Sequence, residues 1–127
     1  MMSVPEPDEW RQQATIFEWA ETMLYKYPEL WLLNGSLNGV RLSIGQAVKA
    51  KRCGMKKGHP DIALNVARKG YHGLFIELKK KKGGVVSRDQ QEWLDRLSTQ
   101  GYFAVVCRGY DAAVKTIKDY LKQHKTA

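Results

Sequence analysis

The sequence predicts an α/β domain in which helices flank a small mixed β-sheet, and three observations predict it. Short runs rich in β-branched and aromatic residues alternate with longer segments whose apolar residues recur every three or four positions. Two of the longer segments begin with Ser-x-x-Gln, the spacing of a helix capping box, at Ser43 and Ser87. A length of 127 residues with 43% hydrophobic content fits one domain with an ordinary core. The elements follow in the order α-β-α-β-β-α-β-α, and such alternation is typical of an α/β domain.

The first predicted element is a helix from residue 9 to about residue 27, ended by Pro28. Its apolar residues recur at spacings of three and four, which predicts one buried face made of Trp10, Ala14, Phe17, Ala20, Leu24 and Tyr27. The preceding residues 1–8 are rich in proline and acid. We expect them to form a flexible tail of the single domain 1–127.

A short strand and a turn follow this helix. The apolar run at residues 30–33 reads as the strand, and Asn34-Gly35 closes it. Asn38-Gly39 extends the turn into a loop, because both residue types tolerate turn conformations.

The second helix is predicted from about residue 44 to residue 52, with the capping box before it and Gly54 after it. A basic element overlaps its end and lies just upstream of Asp61 in the sequence. Its cations are Lys49, Lys51, Arg52, Lys56 and Lys57.

Residues 62–67 and 74–79 predict two neighbouring strands joined by a turn. Side chains of a strand alternate between its two faces, and the even positions form a continuous apolar set: Ile62, Leu64, Val66, Leu74, Ile76 and Leu78. Burial of this set fixes the register of the pair. The odd positions then share the other face, where Asp61 would lie beside Glu77 and Lys79.

The last third of the chain predicts a helix, a strand and a helix. The helix that begins at Ser87 has apolar residues at Trp93, Leu94 and Leu97, and Gly101 lies past its end. Residues 102–107 are typical of a buried strand, which can run parallel to the strand before the helix. A final amphipathic helix is predicted over residues 110–124.

The charge favours a polyanionic partner. Lys and Arg number 21 and Asp and Glu number 13, so the formal net charge is +8, which attracts phosphate backbones. The two cysteines, Cys53 and Cys107, form no C-x-x-C pair, which argues against a zinc site and a disulfide framework. No segment approaches the length of a membrane span and no secretory signal is visible, so we expect a cytoplasmic protein without membrane contact.

Two carboxylates and one lysine on a shared sheet face indicate metal-dependent phosphodiester hydrolysis. A hard divalent ion such as Mg²⁺ prefers carboxylate and carbonyl oxygens. Asp61 and Glu77 would supply the carboxylates, and the backbone carbonyl of Leu78 a further oxygen. Lys79 would orient and help deprotonate the attacking water or stabilise the oxyanion.

Three short motifs in this order resemble a known family. They are Gly58-His59-Pro60-Asp61, Ile76-Glu77-Leu78-Lys79, and Ser87-x-x-Gln90-x-x-Trp93. The pattern is similar to the PD-(D/E)XK nuclease superfamily and specifically to its VRR-NUC family, the virus-type replication-repair nucleases. The similarity extends to Glu9-x-x-x-Gln13, Trp19, Gly101-Tyr102 and the closing Ala113, Ile117 and Tyr120-Leu121.

The resemblance implies a restriction-endonuclease-like core in which Asp61 and Glu77 bind Mg²⁺ or Mn²⁺ and Lys79 is the catalytic lysine. It also implies that Glu9 completes or supports the metal site and that Gln90 reaches the site from its helix. One departure is His59, which stands where the family more often has a small apolar residue. The ligand set stays intact, and the local packing and the pH response stay open.

Short members of this family resemble structure-selective DNA endonucleases of viral or bacterial origin. The resemblance therefore implies cleavage of branched DNA such as four-way (Holliday) junctions in repair, by a homodimer in a bacterial or phage-infected cell. Hydrolysis would proceed by direct attack of water and leave 5′-phosphate and 3′-hydroxyl ends. We expect the basic residues near the site to contact DNA: Lys56, Lys57, Lys80, Lys81 and Lys82.

Other interpretations of the same residues stay open. Glu77 and Lys79 could be a solvated surface pair, and Asp61 after a proline could be turn chemistry. An acid at residue 9 is favoured by the helix dipole alone, and Glu18 and Glu21 are rivals for its role.

Structural roles can also explain the polar and aromatic helix residues and the lysine run. Helix capping explains Gln90 without a catalytic role, and Gln13 could be an ordinary polar residue of the first helix. Trp19 and Trp93 could pack in the core, and the lysines at residues 80–82 could form a solvated loop. For the whole protein, a non-catalytic basic nucleic-acid-binding module is the alternative function. A nuclease acting on RNA is a third.

Overall fold

A computed structural model of the protein describes residues 4–36 and 41–125. The elements are, in chain order, α1 (Glu9–Thr22), a 3₁₀ helix (Pro28–Leu32), β1 (Leu33–Gly35), α2 (Ile44–Arg52), β2 (Ile62–Leu64), β3 (Leu74–Lys79), α3 (Arg88–Thr99), β4 (Phe103–Arg108) and α4 (Tyr110–Leu121). This is the predicted order with one 3₁₀ helix added, so the α/β fold class is confirmed. None of the helices within those two ranges has the length and apolar character needed to cross a membrane.

The four strands form one mixed sheet in the order β1-β2-β3-β4. The pairs β1–β2 and β2–β3 are antiparallel, and β3–β4 is parallel. Because α3 connects β3 to β4, the predicted crossover to a parallel strand is confirmed. Ile62 pairs with Ile76, so one further step along this register places Asp61 opposite Glu77.

The apolar face of the sheet is buried as its alternation predicts. Ile62, Leu64, Leu74, Ile76 and Leu78 are all nearly inaccessible to solvent. α1 and α4 contribute the facing residues of the same core, with Ile16 and Ile117 fully buried. Their burial supplies the hydrophobic stabilisation that holds the sheet against the helices.

The first helix differs from the prediction in length and in phase. α1 ends at Thr22 instead of near residue 27, because residues 23–26 form turns before Pro28. The helical conformation is also disfavoured for Tyr27, the residue that precedes the proline. The partly buried Leu24 and Tyr27 pack on the core from these turns, which explains why their spacing resembled a helix. Gln12, Ile16 and Ala20 form the buried stripe, and the predicted core residue Trp10 is 60% exposed.

The next two strands begin or end differently from the prediction. Residues 28–32 form the 3₁₀ helix, since proline at its first position presets helical φ, and β1 covers Leu33–Gly35 instead of residues 30–33. β2 stops at Leu64, whereas residues 62–67 were predicted. Beyond it the chain closes a tight turn in which Arg68 and Tyr71 pair across Lys69-Gly70. Asn38-Gly39 lies outside the described residues.

The C-terminal elements lie close to their predicted positions. α2 and its capping box are as predicted. β4 is shifted by one residue to Phe103–Arg108, and α4 ends at Leu121 instead of residue 124. The buried Tyr120 hydroxyl donates a hydrogen bond to the Val66 carbonyl at 2.6 Å, which ties α4 to the chain beyond β2.

Candidate active site

Asp61, Glu77 and Lys79 meet at the edge where β2 begins and β3 ends. Oδ2 of Asp61 accepts a hydrogen bond from the backbone N–H of Leu78 at 2.7 Å, which fixes the carboxylate against β3. Nζ of Lys79 lies 3.9 Å from Oε2 of Glu77. Both Glu77 and Lys79 are buried, at 2% and 7% exposure, so they are not the solvated surface pair considered above. The structure thus brings together the three side chains that strand parity placed on one face.

The carboxyl group of Glu77 is strongly perturbed by this environment. Burial, together with the hydrogen bond and the negative charge of Asp61, raises its pKa to about 9, and the ammonium of Lys79 opposes the shift. The charge of Glu9 raises the same pKa further. Two carboxylates held together in a poorly solvated place need a proton or a cation between them, which is a property expected of a metal site.

Gln90 reaches this pair from the first turn of α3. Its Nε2 donates a long hydrogen bond to Oε2 of Glu77 at 3.4 Å, while its Oε1 accepts one from the backbone N–H of Ser87 at 2.9 Å. The Ser87 hydroxyl in turn accepts from the Gln90 N–H. Capping and contact with the site therefore coexist in one side chain, and the two interpretations of Gln90 do not compete.

Gly58 lets α3 approach the chain that leads to Asp61. Its φ is +92°, and a Cβ there would lie 2.7 Å from the backbone carbonyl carbon of Asp89. The next residue, His59, packs edge-on against the rings of Trp93 and Phe75, at centroid distances of 4.8 and 5.7 Å. The residue that departs from the family pattern is thus accommodated by aromatic packing beneath α3.

Replacing Gly58 with alanine should separate α3 from the site. We expect a loss of at least about 1–2 kcal/mol in unfolding free energy, because the added Cβ clashes with α3 and because alanine disfavours the left-handed backbone conformation that Gly58 adopts. The contact between Gln90 and Glu77 should weaken with it, since Gln90 moves with the helix. Gly45→Ala is the matched control: no atom lies within 4 Å of its added Cβ, and alanine favours the helix. Denaturant melts of the two variants that agree within error would contradict the close approach.

An open cleft of about 590 Å³ lies beside the carboxylate pair, and one of its walls is α1. The α1 wall packs closely on the backbone of Gly35, which has no side chain. A Cβ added at Gly35 would lie 2.9 Å from Nε2 of Gln13, too close for any larger residue without a shift. The residues around the cleft are Asp8, Glu9, Trp10, Gln13, Ala14, Phe17, Ser36, Asp61, Leu78 and Lys80. Glu9 is therefore the acid of α1 that faces the site, whereas its rivals Glu18 and Glu21 are exposed and do not line the cleft.

The donor set around the pair is small but suits a hard divalent ion. Among residues 4–36 and 41–125, no three His, Cys, Asp or Glu side chains form a ready-made metal cluster. Mg²⁺ commonly takes one or two carboxylates and completes its shell with waters and substrate phosphates. Asp61 and Glu77 with the adjacent Leu78 carbonyl fit that requirement, and the raised pKa of Glu77, caused first by burial and then by Asp61, means that a cation beside the pair would be favoured.

The predicted DNA-contacting lysines occupy different surroundings. Lys80 lines the cleft. Nζ of Lys81 pairs with Asp111 at 2.9 Å, and Lys82 is exposed. Lys56 and Lys57 lie in a separate depression beside α3, where Lys57 is 3.8 Å from Asp89.

Two polar residues near the site were not predicted from the sequence. The carboxylate of Glu6 accepts hydrogen bonds from the backbone N–H groups of Lys81 and Lys82, at 2.6 and 3.3 Å, and so holds the loop after β3. Gln12 is buried, donates to Glu6 and Pro7, and accepts from the Tyr110 N–H at 2.9 Å. The spacing of four residues between Gln12, Ile16 and Ala20 could have indicated that Gln12 lies on the buried face of α1. Flexibility of residues 1–8 stays a prediction, and residues 1–3 lie outside the described ranges.

A mixed sheet with this acid–acid–lysine edge defines a nuclease-type α/β domain. Known proteins agree: the family model described as "VRR-NUC domain" matches residues 8–111. The chain belongs to the VRR-NUC family. A solved structure described as "VRR_NUC domain protein" is 31% identical, with a TM-score of 0.81, and the match covers 96% of this chain and 94% of that one. No match of comparable significance was found among curated proteins.

Proposed function

We propose that the protein is a Mg²⁺- or Mn²⁺-dependent DNA endonuclease. The single observation that carries the proposal is the meeting of Asp61, Glu77 and Lys79 at one edge of the sheet. Membership of a nuclease-type family supports hydrolysis of a phosphodiester bond. The net charge of +8 supports a polyanionic substrate.

Asp61, Glu77 and the Leu78 carbonyl would hold the ion, with Glu9 near enough to raise the negative potential. When bound, the divalent ion neutralises charge on the phosphate and lowers the pKa of a coordinated water. The backbone N–H of Leu78 keeps Asp61 oriented, which leaves the second oxygen of that carboxylate for other contacts. Gln90 donates a hydrogen bond to Oε2 of Glu77 from α3.

Lys79 would act on the attacking water and on the phosphorane-like transition state. Its Nζ lies beside Glu77 in a buried position, where an ammonium interacts more strongly with developing negative charge than in water. The proton on Nζ can be donated to an oxygen of the substrate or shared with the nucleophilic water. The loop of Lys80, Lys81 and Lys82 follows directly and would receive the neighbouring phosphates.

We infer from the family resemblance that the preferred substrate is branched DNA, including four-way junctions, and that a homodimer makes the paired cuts. A panel of labelled linear, flap and four-way DNA, incubated with and without Mg²⁺ or Mn²⁺, tests both the chemistry and the preference. Cleavage that requires the metal and favours branched DNA supports the proposal. Salt-sensitive binding without cleavage under any metal would leave the non-catalytic binding module instead, and cleavage of RNA alone would change the substrate class.

Lys80→Gln should weaken DNA binding because Lys80 is the lysine of the loop that lines the cleft. We expect a several-fold increase in Kd at moderate salt and a decrease of about one in the slope of log Kd against log salt, the effect of one lost phosphate contact. Lys115→Gln is the control, since Lys115 lies on α4 and pairs with Asp119 at 2.7 Å. Equal effects of the two substitutions would show that only the net charge matters.

A further inference from the structure

Trp10 exposes a large aromatic surface at the candidate active site. Its side chain is 60% exposed, whereas the helical spacing of the sequence predicted it in the core. It lines the same cleft as Glu9, Asp61 and Leu78. A tryptophan that contributes so little to the core and lies beside candidate catalytic groups points to contact with a ligand.

The position of Trp10 is fixed by the helix that carries it. Gln12, two residues further along α1, is buried and accepts a hydrogen bond from the Tyr110 N–H at 2.9 Å. Ile16 is fully buried in the core, and Gln13 packs over the bare backbone of Gly35. The backbone that carries the indole is therefore held in place beside the cleft, as a binding surface requires.

The charges around the cleft favour a neutral, flat group against Trp10. Asp8 and Glu9 immediately precede it in the sequence and line the same cleft, so they repel a phosphate from that side. Lys80 lines the cleft as well and attracts a phosphate toward itself. The guanidinium of Arg11 lies over one face of the indole ring, 5.2 Å from its centre, so a stacked group would take the other face.

We propose that Trp10 is a stacking platform for an unpaired nucleobase next to the scissile phosphate. This rests on the proposed function, which supplies DNA as the substrate. Aromatic side chains stack on any base, but a base inside a duplex has both faces covered by its neighbours. Only a base in a flap, a single strand or the strained centre of a junction can present a free face. Trp10 would thus select DNA with unstacked nucleotides at the cut.

Binding measurements on a cleavage-deficient protein test this role directly. In an Asp61→Asn background with Mg²⁺ present, fluorescence anisotropy would follow a labelled twelve-nucleotide oligo(dT) and a blunt duplex of the same length. We expect Trp10→Ala to raise the Kd for oligo(dT) by about 5- to 100-fold, the effect of one lost base stack, and to change the duplex Kd by less than about threefold. Trp10→Phe should recover most of the lost affinity.

Trp31→Ala is the matched control, because Trp31 is 78% exposed and does not line the cleft. The inference is overturned if Trp10→Ala binds oligo(dT) as tightly as its parent, if oligo(dT) and duplex binding decrease equally, or if Trp31→Ala has the same effect. It is also overturned if sedimentation shows that Trp10→Ala dissociates a dimer, since Trp10 would then be an interface residue.

Failure of this inference can be told apart from failure of the proposed function. A wild-type protein that cleaves branched DNA, combined with a Trp10→Ala protein of unchanged oligo(dT) affinity, removes the stacking role alone. Selective loss of oligo(dT) binding in Trp10→Ala, combined with a wild-type protein that cleaves nothing with Mg²⁺ or Mn²⁺, supports stacking and removes the nuclease activity alone.

Discussion

Glu77→Gln should abolish metal-dependent cleavage and at the same time stabilise the metal-free protein. We expect the cleavage rate to fall on the order of 10³-fold or more, since loss of one of two carboxylates removes much of the electrostatic stabilisation of the transition state that the ion supplies. The neutral amide keeps the shape of the buried side chain. It has no charge to bury or to bring into contact with Asp61, so the desolvation and the repulsion that raise the Glu77 pKa are both absent.

The stability effect of Glu77→Gln has a defined pH dependence. The pKa of Glu77 is about 9 in the folded protein, against an ordinary value of 4.5. Stability from a group with a raised pKa is present below its unfolded value and is lost as the pH rises through the folded one. The wild-type protein should therefore lose stability relative to Glu77→Gln between about pH 4.5 and pH 9, by roughly 1.4 kcal/mol for each pH unit in that range.

Urea denaturation in EDTA across this pH range measures the difference, and the cleavage assay measures the activity. Glu92→Gln is the matched control, because Glu92 is an exposed acid on α3 that pairs with Arg96. A Glu77→Gln protein that cleaves DNA at the wild-type rate contradicts a role of this carboxylate in the reaction. A stability difference that does not change with pH contradicts the buried acidic pair.

Lys79→Met should slow cleavage without removing the ion. The substitution keeps the apolar stem of the buried side chain and deletes the ammonium beside Glu77. We expect the rate of the chemical step to fall about 10²- to 10⁴-fold, the range for one lost proton-transfer group or charge stabiliser. The Kd for DNA should change little, because a group that acts mainly on the transition state contributes little to binding of the ground state.

Single-turnover cleavage and Mn²⁺ titration distinguish Lys79 from a metal ligand. Lys79→Met should still bind Mn²⁺ at pH 8, whereas Glu77→Gln should not. Lys115→Met, on the exposed side of α4, is the control for loss of one positive charge. Loss of Mn²⁺ binding in Lys79→Met would assign the lysine a structural role, and cleavage at the wild-type rate would remove it from the mechanism.

The sheet and the acid–lysine edge were predictable because strand periodicity leaves little choice. Only the even positions of β2 and β3 are consistently apolar, so burying them sets the face and the register together. Asp61, Glu77 and Lys79 then share the other face, as the structure shows. The capping boxes of α2 and α3 were equally predictable, since each depends on hydrogen bonds between residues only three positions apart.

The first helix was harder to predict because distant contacts decide its buried face. Gln12 is buried because its side-chain amide hydrogen-bonds to the backbone of both Tyr110 and Pro7. A local sequence pattern cannot predict a partner as distant as Tyr110. Trp10 is left outside by the same rotation of α1. Hydrophobicity alone favoured the tryptophan over the glutamine for the core, and tertiary hydrogen bonding reversed that preference.

A calorimetric titration of the metal-free protein with Mn²⁺, at pH 8 and without DNA, measures whether Asp61 and Glu77 share one divalent ion. We predict a saturable site in the wild-type protein that is lost in both Asp61→Asn and Glu77→Gln and retained in Glu92→Gln. Saturable binding that persists in Asp61→Asn with unchanged affinity would place the ion elsewhere and contradict the shared site.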